Sequence, residues 1–424
     1  MRKWTNLSVV GLGYIGLPTA ALFAQRGLSV TGVDVNKAVV DSVNKGRIHI
    51  VEPDLDGLVQ KVVATGALKA VSTPEPSEAF IIAVPTPLGE HNKPDVSFVF
   101  DAAKSIAPFL KKDDLVIIES TCPVGTTKQV SGYLADLRPD LTFPHDHGED
   151  SDVLVAYSPE RVLPGRILIE LIHNDRSVGG LSRRSSEMAG SLYTQIVEGN
   201  VLLTSAEAAE LVKLTENSFR DVNIAFANEL ALVCEELKLN CWEIIELANK
   251  HPRVSILQPG PGVGGHCIAV DPYFIIDAVP KATPLMQAAR AVNEDRPLKV
   301  LEYVRNLVGQ TQNPTIACLG LSFKPNIDDL RSSPAVKVVE LLAKEKLGTL
   351  IASEPNVSEL PQSLRDLGVD FADALTAIDR ASIVVLLVDH RQFDFIDPSA
   401  LRDKRLVDTR GLWTWRKSRK PQFA

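Results

Sequence analysis

Between Leu7 and Asp34 five features follow one another in an order that few folds accept. The apolar run Leu7-Ser8-Val9-Val10 reaches Gly11-Leu12-Gly13-Tyr14-Ile15-Gly16. Leu17 to Arg26 then shows helix spacing and stops at Gly27. A second apolar run, Leu28 to Val33, closes on Asp34, 18 residues after Gly16. Strand, glycine turn, helix, strand and acid predict the first βαβ unit of a dinucleotide-binding sheet. Gly11 makes the tight turn, Gly13 lets a pyrophosphate near the backbone, and Gly16 lets helix and strand pack. The helix start presents its unpaired N–H groups to phosphate. Asp34 can accept from both ribose hydroxyls and would repel a 2′-phosphate, which favours NAD over NADP. A glycine-rich turn of some other α/β protein is the alternative reading.

The pattern continues with Ala79 to Val84, Leu115 to Ile118 and Val153 to Tyr157, continuous apolar runs suited to strands covered on both faces. The first two end in Pro85-Thr86-Pro87 and Glu119-Ser120-Thr121-Cys122-Pro123-Val124-Gly125-Thr126-Thr127, at the carboxyl edge of the sheet where ligands bind. Thr86, Thr121 and Thr127 are candidates to touch the cofactor, or else cap their loops. The third ends in Ser158-Pro159-Glu160-Arg161-Val162-Leu163-Pro164-Gly165, which reads as a site or as a surface turn.

Ala206 to Leu239 contains neither Gly nor Pro and predicts one long helix. Lys213, Asn217 and Arg220 share a face of it, as a solvated row or part of a site. Leu214, Phe226 and Leu230 belong to its buried stripes, and Leu237 to Ala248 continues as helix. His251-Pro252-Arg253 breaks the pattern. Then comes Gly260-Pro261-Gly262-Val263-Gly264-Gly265-His266-Cys267, with Asp271 four residues on. A bendable glycine bed beside a thiol and an acid suits a substrate laid against sulfur. A tight loop holding an inert Cys is the plain alternative. His266 does not pair with Cys267, because neighbours in an extended segment point apart. Asn293 to Val308 predicts a helix. The runs Thr315 to Leu321, Thr349 to Ser353, Ile383 to Val388 and Leu406 to Asp408 predict a second α/β unit. Lacking G-x-G-x-x-G, that unit is not expected to hold a second dinucleotide. Lys324 and Arg331 flank its first strand end, where basic donors meet phosphate. The basic tail Arg416-Lys417-Ser418-Arg419-Lys420 is expected to fray.

The 424 residues are enough for two or three domains, and a net charge of −8 gives no reason to expect nucleic acid. Cys122, Cys234, Cys241, Cys267 and Cys318 show no C-x-x-C pairing, which argues against a disulfide frame or structural zinc and for a reducing compartment. Cys122, Cys234, Cys241 and Cys318 read as structural. The opening Met1-Arg2-Lys3-Trp4 leads into a run broken by Gly11 and Gly13, too early for a signal-peptide core. No apolar run reaches membrane-spanning length. The expectation is a cytoplasmic protein with no metal site.

Taken together, the segment Val10 to Pro18, the Ser158 to Gly165 turn, Lys213-Leu214-Thr215-Glu216-Asn217-Ser218-Phe219-Arg220, His251-Pro252-Arg253, Gly260 to Asp271, and Phe323-Lys324-Pro325-Asn326-Ile327-Asp328-Asp329-Leu330-Arg331 resemble the UDP-glucose/GDP-mannose dehydrogenase family. The resemblance implies an α/β chain of two Rossmann-like doubly wound parallel-sheet domains joined by a central all-helical domain with one long helix. Its implied parts are 1–203 for NAD, 204–300 for the helical and dimerising domain with the Cys loop, and 301–424 for the UDP-sugar. It implies a cytoplasmic homodimer acting in surface polysaccharide biosynthesis. It implies cofactor contacts from Tyr14, Ile15, Asp34, Thr86, Thr127 and Arg331, and Cys267 as nucleophile with Lys213, Asn217 and Asp271 around the reacting carbon. Glu160 matches the family's acid after the fifth strand. Arg161, Val162, Arg220, Phe323 and Lys324, with Lys213, Asn217 and Gly264, are implied around the substrate. His251 and Arg253 are implied to reach in from a second subunit.

Two departures matter. The UDP-glucose members' Lys before the Asp is Val270 here, and their glutamate one residue before the glycine of the 160s turn is Pro164. Both changes fit an N-acetylated hexosamine better than glucose, so the implied substrate is UDP-N-acetyl-D-mannosamine. UDP-glucose and UDP-N-acetylglucosamine are the alternatives in the same fold. Oxidising a C6 alcohol to an acid removes two hydrides. Thiolate addition to the intermediate aldehyde restores a tetrahedral carbon that can release the second. Lys213 and Asn217 would stabilise the alkoxide, and Asp271 or Glu160 would activate the hydrolytic water. A non-catalytic NAD-binding regulator and a two-electron 2-hydroxy-acid dehydrogenase are the competing classes.

Overall fold

The computed structural model describes residues 3–163, 165–265, 267–309 and 312–416. Pro164, His266 and the basic tail beyond Arg416 therefore lie outside the described residues. By its contacts the chain divides into two compact units. The first holds Met1–Glu216 and Tyr273–Val279, the second Asn217–Pro272 and Pro280–Ala424.

The sheet of the first unit has eight strands: β1 (Asn6–Val10), β2 (Ser29–Val33), β3 (Leu68–Val71), β4 (Ala79–Ile82), β5 (Leu115–Ile118), β6 (Leu154–Tyr157), β7 (Arg176–Gly180) and β8 (Val201–Ser205). Their order is β3-β2-β1-β4-β5-β6-β7-β8. All pairs are parallel except β6 with β7. The apolar runs are continuous because both faces are covered. Leu7, Val9, Ile81, Leu115 and Ile117 enter one core, while Val10, Phe80, Ile82, Val116 and Ile118 enter the other. Burying each such side chain contributes about 1.5–3 kcal/mol. Strand order reverses between β1 and β4, which places the ligand crevice beyond Val10 and Ile82.

In the second unit β9 (Thr315–Leu319), β10 (Thr349–Ser353), β11 (Asp370–Phe371), β12 (Ile383–Leu386) and β13 (Arg405–Asp408) form a parallel sheet in the order β11-β10-β9-β12-β13. It repeats the first sheet closely. Gly11 N–H donates to Val33 O and Gly320 N–H to Ser353 O, both at 2.8 Å. Both glycines have positive φ, +95° and +84°. Asp34 beyond β2 accepts from Leu12 N, and Glu354 beyond β10 accepts from Leu321 N. The copies part at the acid. Glu354 also accepts from Ser322 N and Asn356 and lies 2.9 Å from buried His390, so its oxygens are taken up within the fold.

The helical region comprises Ala206–Glu236, Cys241–Ala248, Asp271–Ala278 and Pro284–Val308. Here three expectations are corrected. The long helix does not continue through Leu237: Lys238 turns left-handed at φ +56°, and Asn240 restarts the chain by accepting from Trp242 N and Glu243 N. Phe226 is not in a buried stripe but 56 % exposed, whereas Leu214 is buried as expected. The later helix begins at Pro284 rather than Asn293, with proline at a first-turn position where no N–H is needed.

Candidate active site

In the first unit the glycine turn behaves as its spacing predicts. A Cβ on Gly11 would stand 2.4 Å from Ala83 O, and one on Gly16 only 1.8 Å from Gly11 O. A Cβ on Gly13 would meet nothing within 4 Å, so there the backbone is bare toward open space. The helix Gly16–Gln25, preceded by Tyr14 and Ile15, starts with no side-chain cap and no acid in its first turn. Asp34 is pinned by Leu12 N at 3.0 Å on one oxygen and Asn36 N at 2.8 Å on the other. A carboxylate has about four acceptor sites, so two remain. An uncapped helix start, a bare glycine and an anchored acid fit the pyrophosphate and ribose of NAD.

Thr86 and Thr121 are half-buried at the same sheet edge. Thr127 differs. Its N–H and hydroxyl both donate to Glu210, at 2.8 and 2.6 Å, and Gly125 N donates to the same carboxylate at 2.6 Å. Glu210, on the long helix, caps this second helix start, so no phosphate is needed there. Nothing in its sequence context marks it for that task.

Glu160 is 7 % exposed and accepts from Val162 N at 2.9 Å. Burial pushes its carboxyl up from the ordinary range, against the opposing pull of Lys213 and Arg176. The charge of Lys213 therefore acts on the Glu160 carboxyl. Arg161 bonds Glu216 at 2.7 Å and also donates to Asp175 O. The turn itself hangs on Glu52, a buried residue that sequence reasoning missed. It accepts from Gly165 N and Ile167 N, each at 2.7 Å.

In the second unit Cys267 is exposed and its carbonyl accepts from Asp271 N at 2.8 Å, one helical turn on. Asp271 is 2 % exposed and accepts from Asn217 Nδ2 at 2.5 Å. Acid and amide therefore stand together, with the Cys267 backbone one turn before them. Cys122 is buried, with its thiol pushed well up; burial takes Cys241 to about 11 and Cys318 to about 12. Those sulfurs are held as neutral thiols.

The glycines of the bed serve packing as well as access. Cβ atoms on Gly264 and Gly265 would meet Ser332 O at 2.5 Å and the Phe323 ring at 2.9 Å. One on Gly262 would meet Pro334 at 2.9 Å and Asn293 O at 3.2 Å, a carbonyl freed of its helix partner by Pro297. The loop is fixed further back: Gly260 N donates to Asn228 at 2.9 Å, Arg296 to Gly260 O at 3.1 Å and Arg410 to Pro259 O at 3.0 Å. Arg410 follows the strand β13, so the strand-end reasoning applied to Lys324 finds it too. Phe323 and Lys324 are half-buried on a loop held by His390, whose ring accepts from Asn326 N at 3.0 Å. Arg331 forks onto Asp329 at 2.8 and 2.7 Å. Arg220, His251 and Arg253 are exposed. Among the described residues no cluster of His, Cys, Asp and Glu could hold a metal, and no helix is long and apolar enough to cross a membrane.

The dinucleotide turn of the first unit defines an NAD-binding protein. Family models specify which kind. The NAD binding domain of the UDP-glucose/GDP-mannose dehydrogenase family matches residues 5–197, its central domain 207–295 and its UDP binding domain 317–414. The chain belongs to this family and is an NAD-dependent UDP-sugar dehydrogenase. It is 54% identical over 409 residues to the NDP-N-acetyl-D-galactosaminuronic acid dehydrogenase of Ralstonia nicotianae, covering 96% of each chain. It is also 54% identical over 419 residues to the UDP-N-acetyl-D-mannosamine dehydrogenase of Yersinia pestis, covering 97% of this chain and all of that one. The solved UDP-D-ManNAc dehydrogenase from Pyrococcus horikoshii superposes with a TM-score of 0.87 at 37% identity, over 96% of both chains.

Proposed function

We propose that the protein oxidises C6 of UDP-N-acetyl-D-mannosamine to the uronate in two steps through a thioester on Cys267. The observation that carries this reading is the exposed thiol of Cys267 starting the turn that ends on Asp271, itself bonded to Asn217. When bound, NAD accepts one hydride in each of the two oxidations. The chain's residues do the rest. Lys213 stabilises the alkoxide by charge and Asn217 by hydrogen bonding. The Cys267 thiolate adds to the aldehyde, its sulfur forming the bond that makes the second hydride available. Water then cleaves the thioester, returning the thiol and releasing the acid. Glu160 takes the proton of that water, because a carboxyl raised by burial is the stronger base near neutrality. Asp271 holds Asn217 in register.

Arg161, Val162, Arg220, Phe323, Lys324 and Gly264 contact the UDP-sugar, and Thr86, Thr121 and Arg331 the cofactor, whereas buried Thr127 spends both its donors on Glu210. The working division is 1–203, 204–300 and 301–424. The chain acts as a cytoplasmic homodimer. Along the long helix Phe219, Phe226 and Val233 are 70 %, 56 % and 46 % exposed at seven-residue spacing, an apolar stripe that a second copy would cover. His251 and Arg253 then serve the substrate of that copy. The product feeds surface polysaccharide assembly. A galacto-configured N-acetylhexosamine is the second reading, supported by the equal 54% identity to the Ralstonia nicotianae relative. The test is turnover on UDP-N-acetylmannosamine, UDP-N-acetylgalactosamine, UDP-N-acetylglucosamine and UDP-glucose with NADH counted per sugar. Two NADH on the first supports the proposal. One NADH, or preference for UDP-glucose, overturns it.

A further inference from the structure

Beneath Glu160 lies a buried polar cluster to which the catalytic scheme gives no task. Arg176, on β7, is 5 % exposed, Glu119 3 %, and Tyr193 and Ser158 are fully buried. The Arg176 guanidinium donates to Glu119 Oε1 through Nη2 and to Ser158 Oγ through Nε at 2.8 Å. Tyr193 donates its hydroxyl to the same Glu119 oxygen at 2.6 Å, and the guanidinium stacks 4.0 Å over the Tyr193 ring. Such a cluster is costly to bury and adds little net stability over apolar packing. Its place in the sheet suggests what it does instead. β6 and β7 pair antiparallel as Ala156↔Gly180 and Tyr157↔Gly179. The pairing ends there, and the bond from Arg176 to Ser158 Oγ ties this guanidinium to the start of the turn that carries Glu160, two residues on.

We propose that Arg176 is a positioning residue for the hydrolytic step: a buried cation shared between Glu119 and Glu160, which sets how readily Glu160 takes a proton. The inference rests on the reading of Glu160 as the base. Three charged groups act on Glu160 from the elements around it. Lys213 comes from the long helix, Arg176 from β7 and Glu119 from the end of β5, the first two favouring its ionised form and the third opposing it. Glu119 is the competing claimant. Arg176 and Tyr193 both donate to its Oε1, while its Oε2 has no hydrogen-bond partner among the described residues. Removing the charge of Glu119 leaves the guanidinium wholly to Glu160.

The test is the pH profile of thioester hydrolysis, measured as the slow phase after the first turnover of NADH. Glu119→Gln keeps the shape of the side chain and is expected to move the acid limb about one pH unit lower, the size a nearby like charge imposes. Arg176→Gln is expected to move it higher. Arg176→Lys, which keeps charge but not the fork, is expected to fall between wild type and Arg176→Gln. A purely structural cluster would change rate or thermal stability without moving the limb. If Glu160→Gln stalls hydrolysis but Glu119→Gln leaves the limb in place, this inference fails and the catalytic reading stands. If Glu160→Gln hydrolyses the thioester at the wild-type rate, the reading of Glu160 fails and takes this inference with it.

Discussion

Two glycines within six residues of the end of β1 make opposite predictions when each is changed to alanine. Gly13 faces open space, and its φ lies outside the positive range, so the added Cβ costs the fold nothing. Replacing a glycine under those conditions stabilises by about 0.4–1 kcal/mol, through the unfolded chain. The same methyl stands where a pyrophosphate must come close to the backbone. Gly13→Ala is therefore expected to raise the NAD dissociation constant at least tenfold, a loss of about 1.4 kcal/mol or more. Gly16→Ala differs. Its Cβ would lie 1.8 Å from the backbone oxygen of Gly11 and 3.3 Å from Val9 Cγ1. Backbone cannot rotate away as a side chain can, so helix and turn must separate. That overpacking costs about 3 kcal/mol or more, and binding is lost along with stability. The assay pairs thermal unfolding without ligand against NAD titration by calorimetry. A Gly13→Ala protein that binds NAD normally would refute the assignment of the open space to the cofactor. A Gly16→Ala protein of undiminished stability would refute the packing argument.

Asn228→Ala should destabilise by about 2–5 kcal/mol in urea unfolding, because it orphans the N–H of Gly260 and Oδ1 of Asn293, both buried. It should also lower kcat, since the glycine loop carrying Cys267 loses one of its anchors; unchanged stability would show the contact is dispensable. Phe219→Ser with Phe226→Ser should weaken self-association, read by sedimentation at micromolar concentration. A wild-type chain that sediments as a monomer there removes the stripe from the account. Below the raised range of Glu160, the carboxyl is protonated and cannot accept from water, so hydrolysis should fall as pH drops, beginning above the ordinary carboxylate range. Rapid-quench rates across pH 4 to 8 check this; a flat profile contradicts it.

What could be read from residues alone was whatever rests on local pattern. The strand-turn-helix-strand-acid series at Leu7 to Asp34 is local, and so are the double-faced strands β4, β5, β9 and β12. The misses have long-range causes. β7 reads Arg176-Ser177-Val178-Gly179-Gly180, and its arginine is tolerable inside a sheet only because Glu119, 57 residues away, receives it. β8 is an edge strand exposed along most of its length, so it lacks the apolar signal of its neighbours. The helix break at Lys238 uses a left-handed residue that is not glycine, and no composition rule flags it. Phe226 has helix spacing like its buried neighbours, and only tertiary structure shows that this chain leaves it uncovered. In the sequence the glycine bed reads as access for a ligand, yet Phe323, Ser332 and Pro334 fill much of the space its missing side chains leave.

The central proposal is that one sulfur carries the sugar between its two oxidations. Acid quenching during turnover of UDP-N-acetylmannosamine with NAD, followed by peptide mass analysis, addresses it directly. The expected result is an acyl adduct of the uronyl group on the peptide containing Cys267, absent when NAD is omitted. Two NADH released per sugar with that thiol unmodified throughout, and at an undiminished rate in Cys267→Ser, would contradict it.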